Sequence, residues 1–210
     1  MPDTDHDEDL TSSSLDRRGR RVVGLVVGLN LVGLLTEVAV AAAIGSASLL
    51  ADAADFLEDV LINALVLAAL GWSLAGRRRA STWLAGLILL PALAALATAA
   101  WKVVTGAAPD GGALSWTAVL ALVLNAASAL ALISLRGRGG ALVRGAWLAA
   151  RNDVLANLLM VAAGILTLAH PSVWPDVVVG SFMAVVNLRA AREVLEQARA
   201  EDPALELDED

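Results

Sequence analysis

The sequence predicts an all-α, polytopic membrane protein with six transmembrane helices and both termini in the cytoplasm. Three observations predict it. The 210 residues are 58% hydrophobic with a mean hydropathy of +0.69, whereas roughly 45–50% of a soluble domain is apolar. The apolar residues fall into six runs separated by Gly, Pro or charge, each close to the ~20 residues that cross a hydrocarbon core. Arginine clusters before the first run and after the second, fourth and sixth, while the other connections are nearly free of it. By the positive-inside rule these Arg-rich connections face the cytoplasm.

Charge and composition divide the chain into three parts. Residues 1–16, MPDTDHDEDLTSSSLD, have the composition of a disordered acidic tail. Residues 17–198 hold the six helices, and 199–210 form a second acidic tail, too short for a packed domain. The net charge of −7 comes mainly from these tails and says little about partners. With no cysteine, disulfides, thiolate metal sites and cysteine nucleophiles are excluded. The first twenty residues carry no apolar core of a cleavable signal. The only histidines are His6, in the acidic tail, and His170, in a turn. Ala is abundant, and the basic residues are Arg except for Lys102, the only lysine. This bias resembles a high-GC bacterial genome, so the expected location is a bacterial inner (cytoplasmic) membrane.

The first helix is expected over 22–44, after Arg17, Arg18, Arg20 and Arg21. Its Asn30 and Glu37 are seven apart and share a face, and Glu37, an acid within a span, should face the bundle interior. After the turn Gly45-Ser46 the second helix is expected over 47–72, ending at Gly76 and Arg77-Arg78-Arg79. The third, 82–105, has Pro91 in its middle, which favours a kink, and Lys102 near its end, able to snorkel to the surface. The loop GAAPDGGA leads to the fourth, 114–135, with Asn125 central. A basic, Gly-rich loop with Arg136, Arg138 and Arg144 precedes the fifth, 145–169, which contains Arg151, Asn152, Asp153 and Asn157. The sixth begins near Trp174, runs to about 190 and continues as a charged amphipathic segment. Trp116 and Trp174 at outer ends, and Trp72 at an inner end, suit interfacial aromatic belts.

The functional signal lies in SASLLADAADFLEDVLIN, residues 46–63. This apolar stretch holds Asp52, Asp55, Glu58 and Asp59. A charge at the bilayer centre costs roughly 2.5–3.5 kcal/mol on insertion scales, so such a cluster marks function. Asp52, Asp55 and Asp59 form one helical stripe, and Glu58 points to a neighbouring face. Asp55 and Asp59, one turn apart, are placed to hold a cation. Acids on a solvated helix are the bland alternative, and the apolar flanks argue against it. Counted from the outer end of its helix, Asp59 lies about 16 Å deep. Asp153 lies about 12 Å from the inner edge of a ~30 Å core, on an antiparallel helix. Both acids therefore reach the midplane, where a shared cation or shared protons would account for them. A static salt bridge would not, since Arg151 alone cannot neutralise Asp55, Asp59 and Asp153.

Asn30 with Glu37, then GSASLLADAADFLED, Asn125, Asn152-Asp153 with Asn157, and Trp174-Pro175-Asp176 occur in this order. Together they resemble the cation diffusion facilitator family of metal–proton antiporters, across nearly the whole membrane portion. The resemblance implies a tetrahedral transport site built from a His/Asp-x-x-x-Asp pair on the second helix and another on the fifth. Asp55 and Asp59 match the first pair, and Asp153 matches the last member of the second. The remaining position is Ala149, which cannot ligate; water, Asn157, Asn152 or Asn63 would have to fill it. The implied substrate is a divalent transition-metal cation, with protons as counter-ion. An all-oxygen site leans from zinc towards manganese, iron or cobalt, although affinity order still favours zinc over manganese. The cytoplasmic domain common in the family does not follow the sixth helix here, so a homodimer would form through transmembrane helices.

Three clustered carboxyls in a low-dielectric site cannot all stay ionised when empty, so metal and protons compete for them. Helix rocking about the site would then give alternating access, with export from the cytoplasm the direction implied by the resemblance. Glu37 and Glu58 are open candidates for proton relay. Asp52 either lines the exit path or serves the helix start. Two other readings stand beside this one. One is a degenerate transporter-like protein with a regulatory or partner role, in which Ala149 marks lost transport. The other, an intramembrane metal-dependent enzyme, lacks the DGxxAR pattern of lipid-head-group transferases. GxSxG and HExxH are also absent, so no enzyme activity is expected. The Arg clusters flank helices and face lipid head groups, so the bilayer is the expected partner and nucleic acid is not.

Overall fold

A computed structural model describes residues 17–68, 74–135 and 141–200. These residues form helices and connections, with no strand among them: α1 (Arg17–Ile44), α2 (Ala47–Ala68), α3 (Leu74–Thr105), α4 (Gly111–Leu135), α5 (Ala141–Ala169) and α6 (Trp174–Ala200). All-α architecture and the order of six helices agree with the sequence reading. The acidic tails lie outside the described residues, save Arg199 and Ala200 at the end of α6. So do Trp72, Arg136 and Arg138.

Several boundaries differ from expectation. α3 starts at Leu74, so Arg77-Arg78-Arg79 belongs to a helix rather than a loop. Arg is a good helix former, and no Gly or Pro follows Gly76 until Gly86. Pro91 sits inside α3 without ending it. α4 begins at Gly111 because Asp110 caps it: its Oδ1 accepts the Ala113 amide at 2.8 Å. α6 runs unbroken into its charged end, where Arg192 and Glu196 pair at 2.6 Å, one turn apart.

Among the described residues two helices are long and apolar enough to cross a membrane, over Gly19–Ile44 and Gly111–Ile133, against the six spans expected; Leu89–Thr105 and Asp153–Ala169 are shorter apolar stretches. α2 is continuous, but four acids interrupt its apolar run. The side-chain distribution inverts that of a water-soluble domain. Leu35, Leu90, Leu130 and Leu166 are exposed on the outside of the bundle, while Asn30, Glu37, Asp52 and Asn157 are buried.

α1 packs on α2 and α4, α4 packs on α5, and α3 and α6 pack on each other and on α2. α5 meets α6 more loosely and scarcely touches α2. Gly45, at φ 62°, turns the chain from α1 into α2 in a conformation that favours glycine. Two close approaches then fix α2. A Cβ on Gly33 of α1 would strike the Phe56 ring, and one on Gly180 of α6 would strike the backbone of Ala47 and Ser48.

Candidate functional site

The loose contact of α5 with α2 leaves a cavity of about 850 Å³. Asp55, Glu58 and Asp59 reach it from α2, Asn125 from α4, Asp153 from α5 and Asn187 from α6. The three candidate ligands Asp55, Asp59 and Asp153 therefore line one cavity, although more than ninety residues of chain separate Asp59 from Asp153. Asp153 lies within electrostatic reach of both Asp55 and Asp59. The rest of the wall is apolar, including Leu155, Leu159, Phe182 and Val186. Such a wall lowers the local dielectric and strengthens any ionic contact inside.

The carboxylates are gathered but not converged. Among the described residues, no group of three or more His, Asp or Glu is close enough together to hold a metal ion. Ala149 lies on α5 one turn before Asp153; its side chain, with those of Arg151 and Asn152, lies outside those described. Two of the other proposed fillers are engaged with backbone. Asn63 Nδ2 donates to the Asp59 carbonyl and Asn157 Nδ2 to the Asp153 carbonyl, each at 2.8 Å. The same i+4 contact thus braces the acid-bearing turn on both helices. Asn157 Oδ1 is buried without a hydrogen-bond partner.

Asp52, Asp55 and Asp59 share one face of the continuous α2, as expected, but their surroundings differ. Asp55 and Asp59 line the cavity, whereas Asp52 is buried beside it and lies next to Glu37 of α1. Glu58, expected on a neighbouring face, lines the same cavity. The cavity is wide enough to take side chains from more than one face of α2. Glu37 faces the interior as expected, 1% exposed, and neither of its carboxyl oxygens has a hydrogen-bond partner.

A second polar centre holds the start of α2. Asp176 of α6 is fully buried and accepts four hydrogen bonds from that turn. Ser46 Oγ and Ser48 Oγ donate to its Oδ1 at 2.6 Å, the Ser48 amide to Oδ1 at 3.1 Å and the Ala47 amide to Oδ2 at 2.9 Å. Its carboxylate thus satisfies the amides that a helix start leaves unpaired and complements the helix dipole. Lys102 Nζ lies 3.7 Å from Asp176 Oδ2. Lys102 is 4% exposed and so does not snorkel: its Nζ has no hydrogen-bond partner, and the Asp176 carboxylate is the counter-charge beside it. Lower in the bundle, Asn187 Nδ2 donates to the Ala51 carbonyl at 2.7 Å and ties α6 to α2 again. Lys102 and Asp176 are each visible in the sequence, but nothing there pairs them, and Asn187 carries no signal of its own. An acid in the first turn of α6 was the one available signal, and its partner there was unknown.

No protein-family model matches the chain, and no curated protein matches it either.

Proposed function

We propose that this chain crosses the membrane six times, with both termini in the cytoplasm, and exchanges a divalent metal cation for protons through Asp55, Asp59 and Asp153. One observation carries the reading: a single cavity, half open to the outside of an outwardly apolar bundle, receives acids from both α2 and α5. The alternating Arg clusters support the topology. In a bilayer the apolar exterior faces lipid, and the buried acids need a partner that compensates their charge. Metal supplies that charge on one side, and protons supply it on the other. The substrate class is zinc, manganese, iron or cobalt, and the direction is out of the cytoplasm. No enzymatic step is assigned.

Closing the gap between α2 and α5 would draw Asp153 towards Asp55 and Asp59 and complete the ion's shell. Water or an asparagine oxygen would occupy the position left by Ala149.

The unconverged carboxylates favour a second reading, a degenerate transporter-like protein with a regulatory or partner role. Uptake into proteoliposomes under a pH gradient separates the two. Zinc, manganese, iron and cobalt are each offered to wild type and to Asp153→Asn. Uptake that dissipates the pH gradient and falls about a hundredfold in the folded variant supports antiport. Folded wild type that binds these ions without moving any would select the second reading.

A further inference from the structure

We propose that Glu37 and Asp52 form a proton-carrying pair, set between the acidic cavity and the α1–α2 turn. The idea rests on the antiport reading for what the protons do, but the pair itself is tested separately. Both residues are 1% exposed. Among the described residues no donor group reaches either Glu37 carboxyl oxygen or Asp52 Oδ2, and the two carboxyls are neighbours. α1 packs against α2 and α4, and neither supplies a cation. From α2 the groups facing Glu37 are Asp52 and Asp55. α4 contains no charged residue from Gly111 to Leu135. Lys102, the cation near this turn, is engaged by Asp176. Two neighbouring buried carboxyls with no facing cation among the described residues are compensated most simply by a proton between them.

The pair also leads somewhere. Glu37 lies beside Asp52, and Gly33 one turn away lies against Phe56. Continuing that antiparallel register brings Asn30 to the level of Asp59, a cavity acid. Asn30 is fully buried with Nδ2 and Oδ1 both unpartnered. Ser128 Oγ of α4 and Asn157 Oδ1 of α5 are likewise buried and unpartnered. Unpaired buried polar atoms of this kind ordinarily bind internal water. A wet interior from Glu37 to the level of Asp59 would let protons pass between pair and cavity without crossing the apolar wall.

Two measurements on the full chain test this. The first is infrared difference spectroscopy of wild type between acid and alkaline pH, with Glu37→Gln as control. A protonated-carboxyl C=O band that responds to pH and is lost in Glu37→Gln is expected; a spectrum unchanged by the substitution overturns the pair. The second is zinc and manganese uptake in proteoliposomes at several imposed pH gradients. Glu37→Gln should bind metal like wild type yet lose about tenfold of its gradient-driven uptake, with Glu37→Asp restoring most of it. Unchanged gradient dependence in Glu37→Gln overturns the proton-carrying role. Should wild type neither bind nor move either ion, the antiport reading fails, and the infrared band alone decides the pair.

Discussion

Asp176 accepts the Ser46 hydroxyl at 2.6 Å across 130 residues of sequence. This contact locks the start of α6 onto the start of α2. The same carboxylate takes three further donors and lies 3.7 Å from Lys102. One buried side chain therefore joins α2, α3 and α6. Removing it leaves four donors without their acceptor and a buried ammonium without its counter-charge. Asp176→Ala is expected to destabilise the protein by about 3–5 kcal/mol, as for a broken buried ion pair, read as a lower thermal midpoint in detergent. Adding Lys102→Met should recover part of the loss, because the stranded cation is gone. Equal midpoints for the single and double variants would mean that the capped turn, rather than the ion pair, accounts for the effect.

Close packing of α1 on α2 is equally local. Gly33 has no room for a Cβ against the Phe56 ring. Gly33→Leu should therefore cost about 1–3 kcal/mol through overpacking. Adding Phe56→Ala should relieve the clash. A thermal midpoint unaffected by Gly33→Leu would show that α1 and α2 separate more readily than their packing implies.

Ala149 gives a prediction of opposite sign. A carboxylate one turn before Asp153 adds a fourth ligand to the proposed site. Ala149→Asp should tighten divalent-metal binding about tenfold or more, and Ala149→His should favour zinc over manganese. Calorimetric titration of both variants with both ions checks this. Affinities unchanged in each would place the ion elsewhere than beside Asp153.

Metal binding to these acids should also depend on pH. The ion binds the deprotonated carboxylates, so each proton it displaces should weaken binding about tenfold per unit fall in pH, over the range where that proton is bound. Proton release measured in weakly buffered solution gives the count directly. Binding that is flat with pH would remove proton competition from the mechanism.

The legibility of this chain followed the range of each interaction. The bends at Gly45-Ser46 and His170-Pro171 come from local backbone chemistry and were plain in the sequence. So were the six apolar runs. Asp55 and Asp59 were legible as a pair because one helical turn separates them. Asp153 was matched to them through depth along antiparallel helices, and all three reach one cavity. Lys102 was read as a residue reaching for the surface. Its burial depends on Asp176, which comes seventy-odd residues later and which no local pattern connects to it.

Sequence by itself determined the helical segments, their order and which acids lie inside them, because periodicity and hydropathy act within a few turns. Tertiary structure alone decided that Asp52 lies beside Glu37, that Glu58 joins the cavity, and that Asp176 caps α2. Those outcomes depend on which helices touch and how closely. α5 stands away from α2 while Gly180 draws α6 onto it, so packing of distant segments, rather than the pattern within any one, set where each charge came to lie.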